Sequence, residues 1–138
     1  MRICLLTLDF PPFRSSGLTI YAETIVRGLA ARGHSVTVVA SQRPKRDQVG
    51  DVRPPEDVRV IRVPVGALDW AAFGWQAARF LHSNADDYDV IHFADVHFGY
   101  ACQVPFIASA FQSFRQRRTS RRGQPYHVSW RDYLFRLT

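Results

Sequence analysis

Apolar segments of strand length alternate with segments of helical periodicity along the first part of the chain. An apolar run at 3–8 precedes a loop at 9–17 that is rich in proline and serine. Apolar residues then recur three and four positions apart over 18–30, which predicts an amphipathic helix. Gly33 follows as a left-handed cap, and SVTVVA at 35–40 is a second apolar strand. This order predicts a βαβ unit with a right-handed crossover.

The later segments continue the alternation. Residues 41–57 contain three prolines and mixed charges, which favour a surface loop. A third strand is predicted at 58–65, where the interleaved Arg59 and Arg62 are typical of a sheet edge. The remaining predicted elements are a helix capped by Asp69 and running to about Ser83, a strand at 89–93, a short helix at 98–102, a strand at 105–111 and a helix beginning at Ser129.

Together these elements predict an α/β fold: a Rossmann-like, doubly wound parallel sheet in the order 3-2-1-4-5, with helices on both faces. This order follows from the βαβ alternation and from the first, fourth and fifth strands being the most apolar. Aromatic residues around Trp70 and Phe73 occupy a wide arc of the second helix. We therefore expect apolar surface there for a partner, an acceptor or a lipid face, with burial under neighbouring loops as the alternative.

Length and composition indicate one globular domain. The chain has 138 residues, of which 46% are hydrophobic and 22% charged. Cys4 and Cys102 lack CxxC spacing, so neither a disulfide framework nor a zinc site is expected. No stretch approaches the roughly 20 apolar residues of a membrane span, so we expect a cytoplasmic protein that could contact the inner membrane face. The net charge of +6 comes mainly from arginine, which suits phosphate and carboxylate partners.

Two predicted loops contain polar residues where an open parallel sheet binds ligands, beyond the carboxyl ends of its strands. In the 9–17 loop, Gly17 permits close approach of the backbone, the next helix directs free N–H groups there, and Arg14 could bind an anion. A simple chain reversal is the alternative. In the 94–99 loop, Asp95 and His97 could act as base, acid or hydrogen-bonding clamp, or be solvated surface residues. His92, within the strand, is interpreted as a satisfied core histidine.

A third loop, at 112–124, begins at Gln112 and has five arginines within 115–122. Such a run is typical of a solvated segment, although it could also bind phosphates. Aromatic residues do not alternate with these arginines as a base-stacking platform requires. Nucleic acid is therefore not an expected partner.

Three segments, RICLLTLDFPPFRSSG, LAARGHSVTVVA and DVIHFAD, occur in an order and spacing that resemble the family-4 glycosyltransferases of the GT-B fold. The resemblance covers almost the whole chain and implies the N-terminal, acceptor-side half of that fold. It further implies that the intact enzyme transfers a sugar from a nucleoside-diphosphate sugar to a hydroxyl acceptor, with retention and without a metal or tightly bound cofactor. The acceptor could be a sugar, a lipid or a small molecule.

The resemblance also assigns residues. Gly17 takes the place of a family glycine beside the donor diphosphate, and Ser16 replaces the first glycine of the usual pair. Asp95 matches the family's acid; Ala94 stands where a histidine is common, and His97 could substitute for it. Phe111 occupies another histidine position, next to Gln112. The expected sites are catalytic Asp95, His97 and Gln112, and donor-binding Arg14, Ser16 and Gly17.

These 138 residues do not include the nucleotide-sugar domain of the family. We therefore expect an incomplete, truncated domain that is inactive alone and pairs with a missing C-terminal donor domain or a separate subunit. Self-association as a homodimer and peripheral membrane contact are further expectations. The alternative is a non-catalytic binding or assembly module that keeps the same fold.

Overall fold

The computed structural model describes residues 1–12, 17–42, 53–65, 69–94 and 106–109. Within these ranges strands and helices alternate along the chain. Their bounds are β1 Arg2–Thr7, α1 Gly17–Ala30, β2 Ser35–Gln42, β3 Arg59–Pro64, α2 Asp69–Asn84, a 3-10 turn Ala85–Asp87, β4 Val90–Phe93 and β5 Phe106–Ala108. The predicted helices at 98–102 and from Ser129 lie outside the described residues.

The five strands form one parallel sheet in the order β3-β2-β1-β4-β5, which confirms the predicted topology. The register places one residue of each strand in a continuous row, namely Val60, Val38, Leu5, His92 and Ile107. β1 is the central strand, and its two neighbours come from different parts of the chain. The order therefore reverses between β1 and β4, which is the switch point where such sheets bind ligands.

Each face of the sheet has its own core. Alternation along β1 turns Leu5 to one face, where it shares a cluster with Ala22 and Val26 of α1. Cys4 and Leu6 turn to the other face, towards Phe73 of α2. Helices on both faces confirm the doubly wound arrangement. Burial raises the pKa of the Cys4 thiol to about 12, so this cysteine stays protonated in the core.

The aromatic residues of α2 divide between core and surface. Phe73, Ala77 and Leu81 follow each other four residues apart and are buried, which is the stripe that one sheet can cover. Trp75 falls outside this stripe and is 66% exposed. The apolar surface expected on this helix is therefore found at Trp75 and not at Phe73, while the side chain of Trp70 lies outside the described residues.

Two boundary predictions have clear outcomes. Gly33 has φ of +78°, and its amide donates to the carbonyl of Ala30, so the left-handed cap is confirmed. The loop predicted to begin at residue 41 was placed too early, because β2 extends through Gln42. The last two residues of β2, Ser41 and Gln42, pair with the end of β3, and this pairing favours a strand over a loop. β3 forms a sheet edge, as predicted.

None of the helices in the described part of the chain is long and apolar enough to cross a membrane.

Candidate functional site

The segments that follow β1 and β4 leave the sheet side by side. Leu6 pairs with Phe93, and the amide of Ala94 donates to the carbonyl of Leu6 at 2.9 Å. The two loops predicted to contain ligand-binding residues therefore start side by side at the carboxyl ends of β1 and β4, which we call the carboxyl edge. Asp95 and His97 follow this point along the chain and lie outside the described residues.

The first residues of the loop after β1 are fixed against the end of β2. Phe10 and Pro11 are fully buried, and the Thr7 hydroxyl donates to the carbonyl of Asp9 at 3.1 Å. The carbonyl of Leu8 accepts hydrogen bonds from both the amide and the hydroxyl of Ser41, at 3.2 and 2.5 Å. These buried contacts give the start of the loop a defined position at the carboxyl edge.

Arg62 of β3 also holds this loop. Its guanidinium donates to the carbonyls of Ser41 and Phe10, each at 3.2 Å, and to the carbonyl of Pro11. Burial lowers the pKa of Arg62, because removing water disfavours the charged form. Arg62 thus connects the edge strand β3 to the end of β2 and to the loop after β1. The sequence pattern around Arg62 indicated only a sheet edge.

The N-terminus of α1 is exposed. The helix begins at Gly17, and among the described residues no heavy atom lies within 4 Å of a Cβ added there. The first turn contains no acidic residue. The helix dipole at such an end favours an anion, and no carboxylate of that turn opposes it. Of the six predicted site residues, the structure describes Gly17; those outside the described residues are Arg14, Ser16, Asp95, His97 and Gln112.

Three polar side chains from different elements meet near the same edge. The hydroxyl of Tyr21 on α1 lies 2.8 Å from the Ser109 hydroxyl, which follows β5. Nε2 of His92 on β4 lies 2.9 Å from the Ser109 hydroxyl and 3.4 Å from that of Tyr21. The rings of Tyr21 and His92 also meet edge to face, with centroids 6.1 Å apart. We call this set the hydroxyl–imidazole cluster.

The cluster explains the state of His92. The residue is 7% exposed, and burial lowers the pKa of its imidazole, which favours the neutral ring. The hydrogen bond between Nε2 and the Ser109 hydroxyl, with the Tyr21 hydroxyl beside them, confirms the interpretation of His92 as a satisfied core histidine. The sequence did not indicate Tyr21 or Ser109 as its partners. In the described part of the chain, no group of three or more His, Cys, Asp or Glu side chains could hold a metal ion.

Comparison with known proteins agrees with this architecture. An uncharacterized glycosyltransferase of Methanocaldococcus jannaschii is 29% identical over 120 residues, which cover 79% of this chain and 30% of that protein. The crystal structure of WaaG, a glycosyltransferase involved in lipopolysaccharide biosynthesis, matches with a TM-score of 0.58 at 19% identity. That match covers 98% of this chain and 34% of WaaG, so the chain spans about a third of the length of either protein.

The family model described as a glycosyl transferase 4-like domain matches residues 16–138, which is most of the chain. With the parallel sheet in the order β3-β2-β1-β4-β5 and the structural match to WaaG, this match identifies the chain as a member of the glycosyl transferase 4-like domain family, with the Rossmann-like fold of a GT-B N-terminal domain.

Proposed function

We propose that this chain is the acceptor-side domain of an enzyme that transfers a sugar from a nucleoside-diphosphate sugar to a hydroxyl acceptor, with retention at the anomeric carbon. Family membership over residues 16–138 is the observation that carries the proposal. The geometry supports it, because the anchored start of the loop after β1 and the N-terminus of α1 lie at the switch point of the sheet. Doubly wound sheets bind nucleotides and similar ligands at their switch point.

The donor diphosphate would lie beside the N-terminus of α1. Gly17 has no side chain that would keep phosphate oxygens from the backbone, and Ser16 and Arg14 would add a hydroxyl and a guanidinium. Negative charge develops on the diphosphate as the sugar leaves. Donors fixed in advance around that charge stabilise the transition state more than the ground state.

The acceptor hydroxyl would lie near the segments that follow β4 and β5. Asp95 and His97 would hydrogen-bond to it and orient its lone pair towards the sugar, with Gln112 as a further hydrogen-bonding group. The amide of Ala94, fixed to Leu6, gives the first of these segments a defined starting point. Closing the cleft against a second domain would exclude water as a competing acceptor.

The test is sugar transfer by a protein that combines residues 1–138 with a nucleotide-sugar domain, assayed against a panel of donors and hydroxyl acceptors. We expect multiple turnover by the combined protein, retention of anomeric configuration by NMR, and no turnover by residues 1–138 alone. Robust turnover by residues 1–138 alone would contradict the assignment of the donor site to a second domain. Absence of both transfer and nucleotide binding in the combined protein would favour the non-catalytic binding module instead.

Gly17→Val tests the donor site directly. A Cβ at Gly17 meets none of the described residues, so the variant should fold normally, yet its side chain would lie where the diphosphate is proposed to bind. We expect the KM for the donor to rise by about tenfold, equivalent to roughly 1.4 kcal/mol of binding. Gly28→Ala is the matched control on the same helix, because its Cβ meets the flexible end of Arg32 at 3.4 Å. An unchanged donor KM in Gly17→Val would remove this site.

A further inference from the structure

The hydroxyl–imidazole cluster connects elements that are distant in sequence. Tyr21 and Ser109 are 88 positions apart, and His92 and Ser109 are 17 apart. His92 lies on β4, which pairs with β1 on one side and β5 on the other. The Ser109 amide is itself held by the carbonyl of Phe93 at 2.9 Å, so side-chain and backbone contacts both fix this point.

Each member of the cluster stands near a residue of the proposed site along the chain. The separation is three or four positions in every case. The pairs are Gly17 and Tyr21, His92 and Asp95, and Ser109 and Gln112. The cluster therefore joins the helix start assigned to the donor to the two strand ends assigned to the acceptor.

We propose that Tyr21, His92 and Ser109 are positioning residues, which set the spacing between the donor and acceptor segments at the carboxyl edge. This inference rests on the proposed function. Two hydroxyls converge on one ring nitrogen, and the three groups come from a helix and two strands. Either tautomer of His92 allows a chain of two hydrogen bonds through Ser109. If Nε2 accepts, the Ser109 hydroxyl donates to it and the Tyr21 hydroxyl donates to Ser109; if Nε2 carries the proton, it donates to the Ser109 hydroxyl, which donates to that of Tyr21. Transfer rates are sensitive to displacements of about 1 Å, so a fixed spacing matters for chemistry.

A packing role alone makes a different prediction. Tyr21→Phe keeps the ring that meets His92 edge to face and removes the hydroxyl. Tyr88→Phe is a matched control, since Tyr88 packs against Phe80 in the core on the α2 side. Thr37 is a polar neighbour of the Tyr88 hydroxyl, so both substitutions remove one phenolic hydroxyl that has a polar neighbour. Only the first lies at the carboxyl edge.

The first measurement is amide hydrogen exchange in residues 1–138. In Tyr21→Phe and Ser109→Ala, we expect the backbone amide at position 109 to exchange about tenfold faster than in the wild type, because local opening becomes easier. Ser109→Thr keeps a hydroxyl and should restore slow exchange, while Tyr88→Phe should leave this amide unchanged. If Tyr21→Phe changes the Ser109 amide no more than Tyr88→Phe does, the link between α1 and β5 is absent and the proposal is overturned.

The second measurement is transfer by the combined protein described above. Tyr21→Phe and Ser109→Ala should lower kcat by about tenfold, with Ser109→Thr and Tyr88→Phe within about twofold of the wild type. Faster exchange with an unchanged kcat would show a structural link without a positioning role and overturn the proposal. An inactive wild type would instead contradict the proposed function, while the exchange data would still decide whether the cluster joins the two segments.

Discussion

Replacing Arg62 with methionine removes the guanidinium that holds the loop after β1. The carbonyls of Ser41, Phe10 and Pro11 then lose a charged donor, while much of the side-chain volume remains. A hydrogen bond to a charged group contributes about 1.5–3 kcal/mol to stability. The full sum of three is not expected, because the guanidinium is half-buried and its desolvation, visible in the lowered pKa, offsets part of the gain. We expect the free energy of unfolding to fall by about 2–4 kcal/mol.

Urea denaturation of the wild type and three variants measures this loss. Arg62→Lys should recover only part of it, because one compact ammonium cannot reproduce a planar fork directed at carbonyls of two segments. Arg59→Met is the control on the same strand, where the side chain is exposed, and should change stability by no more than about 0.5 kcal/mol. The reasoning is refuted if Arg62→Met is as stable as Arg59→Met, or if lysine restores the full wild-type value.

Further predictions concern the core, the surface and pH. Phe73→Ala should cost about 3–5 kcal/mol in unfolding free energy, whereas Trp75→Ala should change it by less than about 0.5 kcal/mol; equal losses would contradict the observed burial. Burial lowers the pKa of His92 in the folded state, so the unfolded chain binds the proton more readily near the ordinary pKa of 6.5. The contribution of neutral His92 to the free energy of unfolding is complete above pH 6.5 and is lost as the pH falls towards the pKa of His92 in the folded state. Denaturation curves between pH 7.5 and roughly pH 5 should show this slope, reduced in His92→Gln.

The helices and strands could be predicted because the signal for each one lies in its own residues. Apolar runs, helical spacing and the glycine at position 33 depend on neighbours within a few residues, and they were sufficient for the strand order as well. The end of β2 was misplaced because Ser41 and Gln42 look like loop residues until their pairing with β3 is known. The local polarity of these residues indicated a loop, but hydrogen-bonded pairing with β3 makes them part of the strand.

The contacts of the candidate site depend on long-range geometry. Arg62 sits 51 and 52 positions from the carbonyls of Pro11 and Phe10, and no local pattern connects them. Period-two alternation can tell which face of β3 holds Arg62, but it does not tell what lies opposite. The contact between the hydroxyls of Tyr21 and Ser109 could not be predicted for the same reason, because the two residues are 88 positions apart. Sequence motifs did locate Gly17 at the start of α1, because a loop ending in glycine before an amphipathic helix is a local signal.

The amino end of β1 gives a practical handle on the molecule. Met1 has an exposed side chain, its carbonyl accepts from the Ser35 amide, and the Arg2 amide donates to Asp89 at 2.7 Å. This end is therefore anchored to both neighbouring strands. Six residues of strand separate it from the carboxyl edge, which is roughly 20 Å. A fluorophore or surface tether attached at Met1 would hold the domain with its carboxyl edge facing away from the support, so binding could be measured by immobilisation without covering the cleft.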